Sequence, residues 1–281
     1  MKTARYWTRG EADAAGRGGS FRAIARGWSD ESIEAARSKA VEIARRVAER
    51  VAGGSSSGPR YPYGDRPLPE PVLREFGGDQ NRRAILTRNA YGALVLNTDH
   101  MMFVDVDRKT AAHAKGGLFS SLFGKSKTES ANGPLIDAMR AVTDRNKLAA
   151  RLYETAAGYR LIVTSASFQA GSKEAETLLA EFHSDPLYIR LCRMQESFRA
   201  RLTPKPWRCQ FHAPPVEFPF ETADDQSRFE KWEREYDAKG ASFATCRFIC
   251  ELGSGGVNPD FRDLIDYHDQ ESKALALHKL A

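Results

Sequence analysis

YGALVLNTDHMMFVDVD, residues 91–107, is two apolar runs separated by Asn97-Thr98-Asp99-His100. Turn-forming residues between two such runs predict a β-hairpin. The second arm, Met101 to Val106, is apolar enough for a central strand, yet it closes on two carboxylates. Strand side chains alternate faces, so Phe103, Asp105 and Asp107 share one face and Met102, Val104 and Val106 the other. Asp105 and Asp107 then stand with Cα atoms roughly 7 Å apart, close enough to converge on one hard cation or a pair of them. An acid beside an apolar strand is costly unless it is paired or coordinated. Mg2+ or Mn2+ shared with substrate phosphates would offset that cost; a strand end that emerges into solvent would avoid it.

On either side of this stretch, strand-like and helical segments alternate. Ala84 to Thr87 and Gly92 to Leu96 precede the acidic strand. Arg108 to Gly133 is a basic, low-complexity insertion, followed by helical spacing over Pro134–Asp144. Ala149–Glu154 and Tyr159–Thr164, joined by Thr155-Ala-Ala-Gly158, predict a second hairpin. Helices are expected over Lys173–Phe182, from Asp185-Pro186 to about Glu196, and over Asp224–Lys239. Phe243–Leu252 reads as a strand, and Asn258-Pro-Asp260 as the start of a terminal helix. This order predicts an α+β fold. Its mainly antiparallel sheet would come from two hairpin-plus-helix units, with helices on one face.

Toward the N-terminus, Met1 to Gly27 shows no clean period and is expected to be mobile, with Trp7, Phe21 and Trp28 as points of attachment. Ser29 is the expected N-cap of a long amphipathic helix over Asp30–Ala52. Gly53 to Gly58 reads as a linker. The division expected is therefore a segment 1–58 and one α+β domain over 59–281. Within that domain RYPYGDRPLPEP reads as an extended strap, Pro71 to Phe76 admits a helical reading, and the compact part begins near Asn81.

Of the 281 residues, 41% are hydrophobic and 28% charged, an ordinary globular balance. No apolar run approaches the roughly 20 residues of a membrane helix, and the first thirty residues lack a leader-like apolar core. No membrane partner and a cytoplasmic location are the expectations. The net charge of +5 is mild, so the position of the cations carries more information than their number. Cys209 with His212, and Cys246 with Cys250, have the look of zinc pairs. In a strand, however, the latter two would lie about 13 Å apart, which favours buried thiols.

Three further groups could carry chemistry. Arg160, closing RLYETAAGYR, can fork onto a phosphate or pair with one of the aspartates. SFRARLTPKPWR places Arg199, Arg201, Lys205 and Arg208 around Trp207. It reads as a track for a nucleic-acid backbone with the indole stacking on a base, or as internal pairing and a core anchor. Glu251 is a candidate third metal carboxylate. Asp266, His268 and Asp269 could supply a base or ligand, or cap a helix.

An apolar strand ending in Asp-x-Asp, with a Thr-x-x-Gly hairpin some fifty residues on, resembles the archaeo-eukaryotic primase superfamily over about Gly92 to Ser165. The resemblance implies catalytic divalent metal on Asp105 and Asp107, nucleotide contacts around Glu154 to Gly158, and a third acid. Arg160 stands where that family's phosphate-binding histidine is expected. The function expected is that of a metal-dependent nucleotide- or nucleic-acid-binding protein of primase-polymerase type, capable of nucleotidyl transfer. Its rivals are a non-catalytic nucleic-acid-binding or scaffold protein and a sugar-nucleotide transferase.

Overall fold

The computed structural model describes residues 1–16, 19–54, 66–78, 82–108 and 133–281. Its body is an α+β arrangement of two four-stranded antiparallel sheets. The first runs β3 (Val72–Phe76), β4 (Ala84–Arg88), β5 (Leu94–Thr98), β9 (Phe198–Arg201). The second runs β11 (Cys246–Gly253), β7 (Ala149–Thr155), β8 (Gly158–Val163), β6 (Phe103–Asp107). Leu86, Leu96 and Phe198 of the first sheet join Phe103, Leu152, Leu161 and Ile162 of the second in one continuous core. Helices α2 (Gly133–Arg145), α3 (Lys173–Glu181), α4 (Pro186–Gln195) and α6 (Arg262–Ser272) add Met139, Leu179, Cys192 and Leu264 to it. A smaller cluster of Cys209, Trp232 and Tyr236 holds α5 (Ala223–Gly240).

The hairpin expected at 91–107 does not form. β5 pairs with β4 and β9, whereas β6 pairs with β8, so the two apolar runs belong to different sheets. The Thr98 hydroxyl accepts from the N–H of His100 (3.3 Å) and of Met101 (3.1 Å), bending the chain out of one sheet toward the other. Leu96, Met101, Met102, Phe103 and Val104 are all buried, which a lone hairpin with one wet face could not achieve. The second hairpin, β7 to β8, forms with its turn at 156–157. Residues 72–76 form edge strand β3 and not a helix. The strap ahead of it is tied down where Leu68 N–H donates to Gln195 Oε1 (3.2 Å).

The N-terminal stretch is also ordered differently from the expectation. β1 (Tyr6–Gly16) pairs along its whole length with β2 (Gly19–Ser29), and the ribbon lies on α1 (Ile33–Ala52). The closest approaches are made by small residues: Gly10 and Gly27 meet Ala40, Gly27 meets Ala36, and Gly16 meets Ala52, while Ala36, Ala40, Ala44 and Ala48 are buried on the helix. Glycine is required where the backbones meet most closely, since a Cβ on Gly27 would stand 2.1 Å from the Ala36 carbonyl oxygen. The helix is capped by Ser32, whose Oγ accepts from Ala35 N–H at 3.0 Å, and not by Ser29. Trp7 does anchor the ribbon, with its ring 5.9 Å from Trp28 and 6.5 Å from Phe218. Most of the 53–58 linker and the 108–133 insertion lies outside the described residues. Among those described, no helix is long and apolar enough to cross a membrane.

Candidate functional site

The acidic end of β6 opens into a cleft of about 460 Å3 between the two sheets. Register fixes its first members: Asp105 lies opposite Arg160 on β8, and Asp107 opposite Gly158. Gly158 is forced by packing, because a Cβ there would stand 1.9 Å from the Val106 carbonyl oxygen. The glycine of the Thr-x-x-Gly turn therefore makes room for the acidic strand itself, and the Thr155 hydroxyl closes the turn by accepting from Gly158 N–H (3.0 Å). The carbonyl oxygen of Asp105 accepts from Ser184 Oγ and Asp185 N–H, both at 2.9 Å, which ties the start of α4 to the strand end.

That tie brings a third acid to the cleft. Asp185 lines it together with Asp105 and Asp107. Sequence reasoning assigned Asp185 to helix initiation, and it does cap α4 by accepting from Leu187 N–H (3.0 Å). The Asp-Pro signal accounted for the residue so fully that its charge went unread.

Arg160 stands beside Asp105 in the same sheet, and Arg201, Lys205 and Arg208 line the cleft from the β9 side. Among the described residues, no carboxylate lies within ion-pair distance of Arg201, Lys205 or Arg208. Burial, together with Arg160 and Arg208 nearby, pushes the Arg201 guanidinium down to about 10. Burial and the same crowd of cations also lower Lys205, against the pull of Asp105 and Asp107. On the opposite wall, the protein packed around Asp105 raises its carboxyl above the ordinary range. Arg160 and Arg201 oppose that rise, while Asp107 and Asp185 add to it. The side chain nevertheless opens to the cleft, and water there moderates the effect.

Arg199 lines the same cleft but is not free. Its Nη2 contacts both Glu70 oxygens, at 2.8 and 2.9 Å, and its Nη1 donates to Asn97 Oδ1 at 2.7 Å. Glu70 also accepts from Thr87 Oγ1 at 2.6 Å. The internal pairing that the sequence left open for this segment thus describes Arg199, whereas Arg201, on the same strand face, has no acid partner among the described residues. Trp207 is 56% exposed and stands edge-on to Tyr91, a cleft residue, at 5.4 Å.

Glu251 does not join Asp105 and Asp107. It sits on β11, separated from β6 by β7 and β8, and its contact is Arg151 at 3.4 Å. His268 and Asp269 lie behind the cleft wall and not in it. His268 is wholly buried, with Nδ1 2.9 Å from Asp269 Oδ1 and Nε2 3.1 Å from Arg160 Nη1. Cys192, Cys209 and Cys246 are buried free thiols and Cys250 is half-buried. His212 Nδ1 lies 2.9 Å from the Ala213 carbonyl oxygen.

Asp105, Asp107 and Asp185 share the cleft, and their carboxylate oxygens are the hard donors that a divalent cation would take. Among the described residues no group of three or more His, Cys, Asp or Glu could hold a metal unaided. Two carboxylates, with water and ligand phosphate filling the remaining positions, suit Mg2+ or Mn2+. No family model, no curated protein and no solved structure matches this chain.

Proposed function

We propose that this protein carries out metal-dependent nucleotidyl transfer of primase-polymerase type, binding a nucleoside triphosphate and a nucleic-acid strand in the cleft between β6 and β9. The observation that supports this most is the pairing of an acid wall (Asp105, Asp107, Asp185) with cations that have no acid of their own among the described residues (Arg201, Lys205, Arg208). A ligand that is polyanionic and brings a divalent cation satisfies both walls at once; a neutral or purely cationic ligand satisfies neither.

Asp105 and Asp107 would hold Mg2+ or Mn2+, which when bound stabilises charge on the phosphoryl oxygens. Arg160, held rigidly from behind, orients the phosphates. Arg201, Lys205 and Arg208 neutralise the triphosphate and the incoming strand, and Trp207 offers an exposed indole face for a base. Arg199 keeps the wall in shape through Glu70. In the reaction, a strand hydroxyl gives its proton to water in the cleft as its oxygen bonds to the α-phosphorus, the bond from that phosphorus to the β-phosphate oxygen breaks, and pyrophosphate leaves.

The test is extension of a primed or unprimed template by purified protein with labelled nucleotides and Mn2+. Metal-dependent product, abolished by Asp105→Ala, is expected; product unaffected by that substitution removes the assigned role. Salt-sensitive strand binding that survives chelation and Asp105→Ala, with no product, would instead identify a non-catalytic binding protein.

A further inference from the structure

Behind the basic wall a buried chain of polar groups holds Arg160, and none of its members beyond Arg160 has been given a part in nucleotidyl transfer. Arg160, 5% exposed, donates from Nη1 to the Arg201 carbonyl oxygen at 2.9 Å and lies 3.1 Å from His268 Nε2. A guanidinium has hydrogens to give and no lone pair to accept with, so Nε2 must be the bare nitrogen of the ring. The proton then sits on Nδ1 and is given to Asp269 Oδ1 at 2.9 Å. The other carboxylate oxygen, Oδ2, accepts from Arg151 Nη2 at 2.8 Å, and Arg151 Nε donates to the Tyr153 hydroxyl at 2.8 Å. Nε2 also lies 3.9 Å from Cys246 Sγ, whose S–H can donate to the same bare nitrogen.

We propose that His268 is a positioning residue. Its neutral imidazole, locked in the Nδ1–H form by Asp269, accepts from Arg160 and sets where that guanidinium stands in the cleft. The arrangement has a physical purpose. Arg160 and Arg201 line the same cleft close enough to repel, and the Asp105 carboxylate beside them offsets only part of that repulsion. A carboxylate at the position of His268 would hold Arg160 but cancel its charge. An apolar residue would leave the buried N–H unpaired and the side chain free to turn away. An imidazole acceptor holds the guanidinium and leaves its charge for the ligand. The ring is itself immobilised, lying 6.0 Å from Phe103 and 5.0 Å from Tyr153.

The value of this for affinity rests on the nucleotide reading above, so the experiment has two arms. The first uses the full chain with selectively 15N-labelled histidine and follows ring-nitrogen shifts. His268 is expected as the Nδ1–H tautomer with an accepting Nε2, and Arg160→Met is expected to shift Nε2 toward a free nitrogen. An Nε2–H ring, or no response to Arg160→Met, overturns the positioning role whatever the protein binds.

The second arm measures binding of Mn2+-nucleoside triphosphate to His268→Gln, which can present an acceptor, and to His268→Leu, which cannot. His268→Leu is expected to lose about tenfold in affinity, the scale of one hydrogen bond to a charged group, while His268→Gln stays within about threefold of the parent. Urea midpoints control for folding: a merely structural role would weaken both variants in step with their stability, and that result also overturns the proposal. Failure of the parent protein to bind the triphosphate would count against the proposed function alone, and the tautomer arm would then decide the role of His268.

Discussion

On the ribbon of β1 and β2, Arg22 meets Asp13 at 2.9 Å, Arg9 meets Glu221 at 2.5 Å, and Arg26 meets Glu217. In the cleft, Arg201, Lys205 and Arg208 have no such acid among the described residues, although Asp105, Asp107 and Asp185 line the same space. The ribbon packs on α1 through glycine and alanine at backbone contact, and its charges are paired off at the surface. The cleft gives up that economy: it holds like charges together on each wall. Such an arrangement costs stability in the metal-free protein, and persists where a ligand carries the missing charges. Residue choice in the ribbon serves packing; under the function proposed here, in the cleft it serves binding.

Packing at the ribbon gives the largest expected effect. Gly27→Val would drive a side chain into the Ala36 carbonyl and the Ala40 amide, where a Cβ already stands at 2.1 and 2.4 Å. A loss of about 3 kcal/mol in urea unfolding is expected, with triphosphate affinity of the folded fraction unchanged. Full tolerance of valine would mean that the ribbon is not held by this contact.

The complementary experiment is Arg201→Met. Removing a crowded, half-buried cation while keeping its length should stabilise the protein by about 1 kcal/mol, as replacing buried charge with apolar volume often does. The same substitution should weaken Mn2+-triphosphate binding at least about tenfold. Stability and affinity moving together, both downward, would show that Arg201 is a structural residue like Arg199.

Those two arginines mark the limit of what the sequence could reveal. They are two residues apart on one strand face, and nothing local separates them. The difference is Glu70, which claims Arg199 from 129 positions away. The strands at 94–98 and 103–107 were legible from their apolar runs, and the β7–β8 turn from Thr155 and Gly158. Which strand pairs with which was not, because period reveals a strand but not its partner; hence the false hairpin. Residues 1–29 escaped because glycine and alanine, alternating with charged residues, leave no apolar stripe although they pack at backbone distance. Asp185 was legible as a cap and illegible as a cleft acid, since only folding brings it beside Asp105.

A smaller effect separates the acid wall from ordinary surface acids. Packing raises the Asp105 carboxyl, so the metal-free folded state holds its proton to higher pH than the unfolded chain does. The stability this gives is complete below the usual carboxylate range and is lost as pH rises through the raised value. Asp105→Asn should therefore be the more stable protein at about pH 7 in chelator, with the advantage shrinking toward about pH 4. Mn2+ competes with that proton, so parent affinity for the metal should increase over the same interval. A parent more stable than Asp105→Asn at neutral pH would show that the neighbouring arginines already neutralise the aspartate.

The smallest expected effect bears on the boundary of the site. Glu251 shares a sheet with Asp105, and its place at the end of its strand made it a candidate third ligand. Two strands intervene, however, and neighbouring strands lie about 4.8 Å apart, which puts β11 about 14 Å from β6, beyond any common coordination shell. The exposed contact to Arg151 at 3.4 Å is of the kind that contributes little in water. Arg151 keeps its firmer bond to Asp269 without it. Glu251→Gln should thus change stability by less than about 0.5 kcal/mol and leave Mn2+ affinity where it was. A tenfold loss of metal affinity would place the cation between β6 and β11 and move the site out of the cleft that Asp185 helps to form.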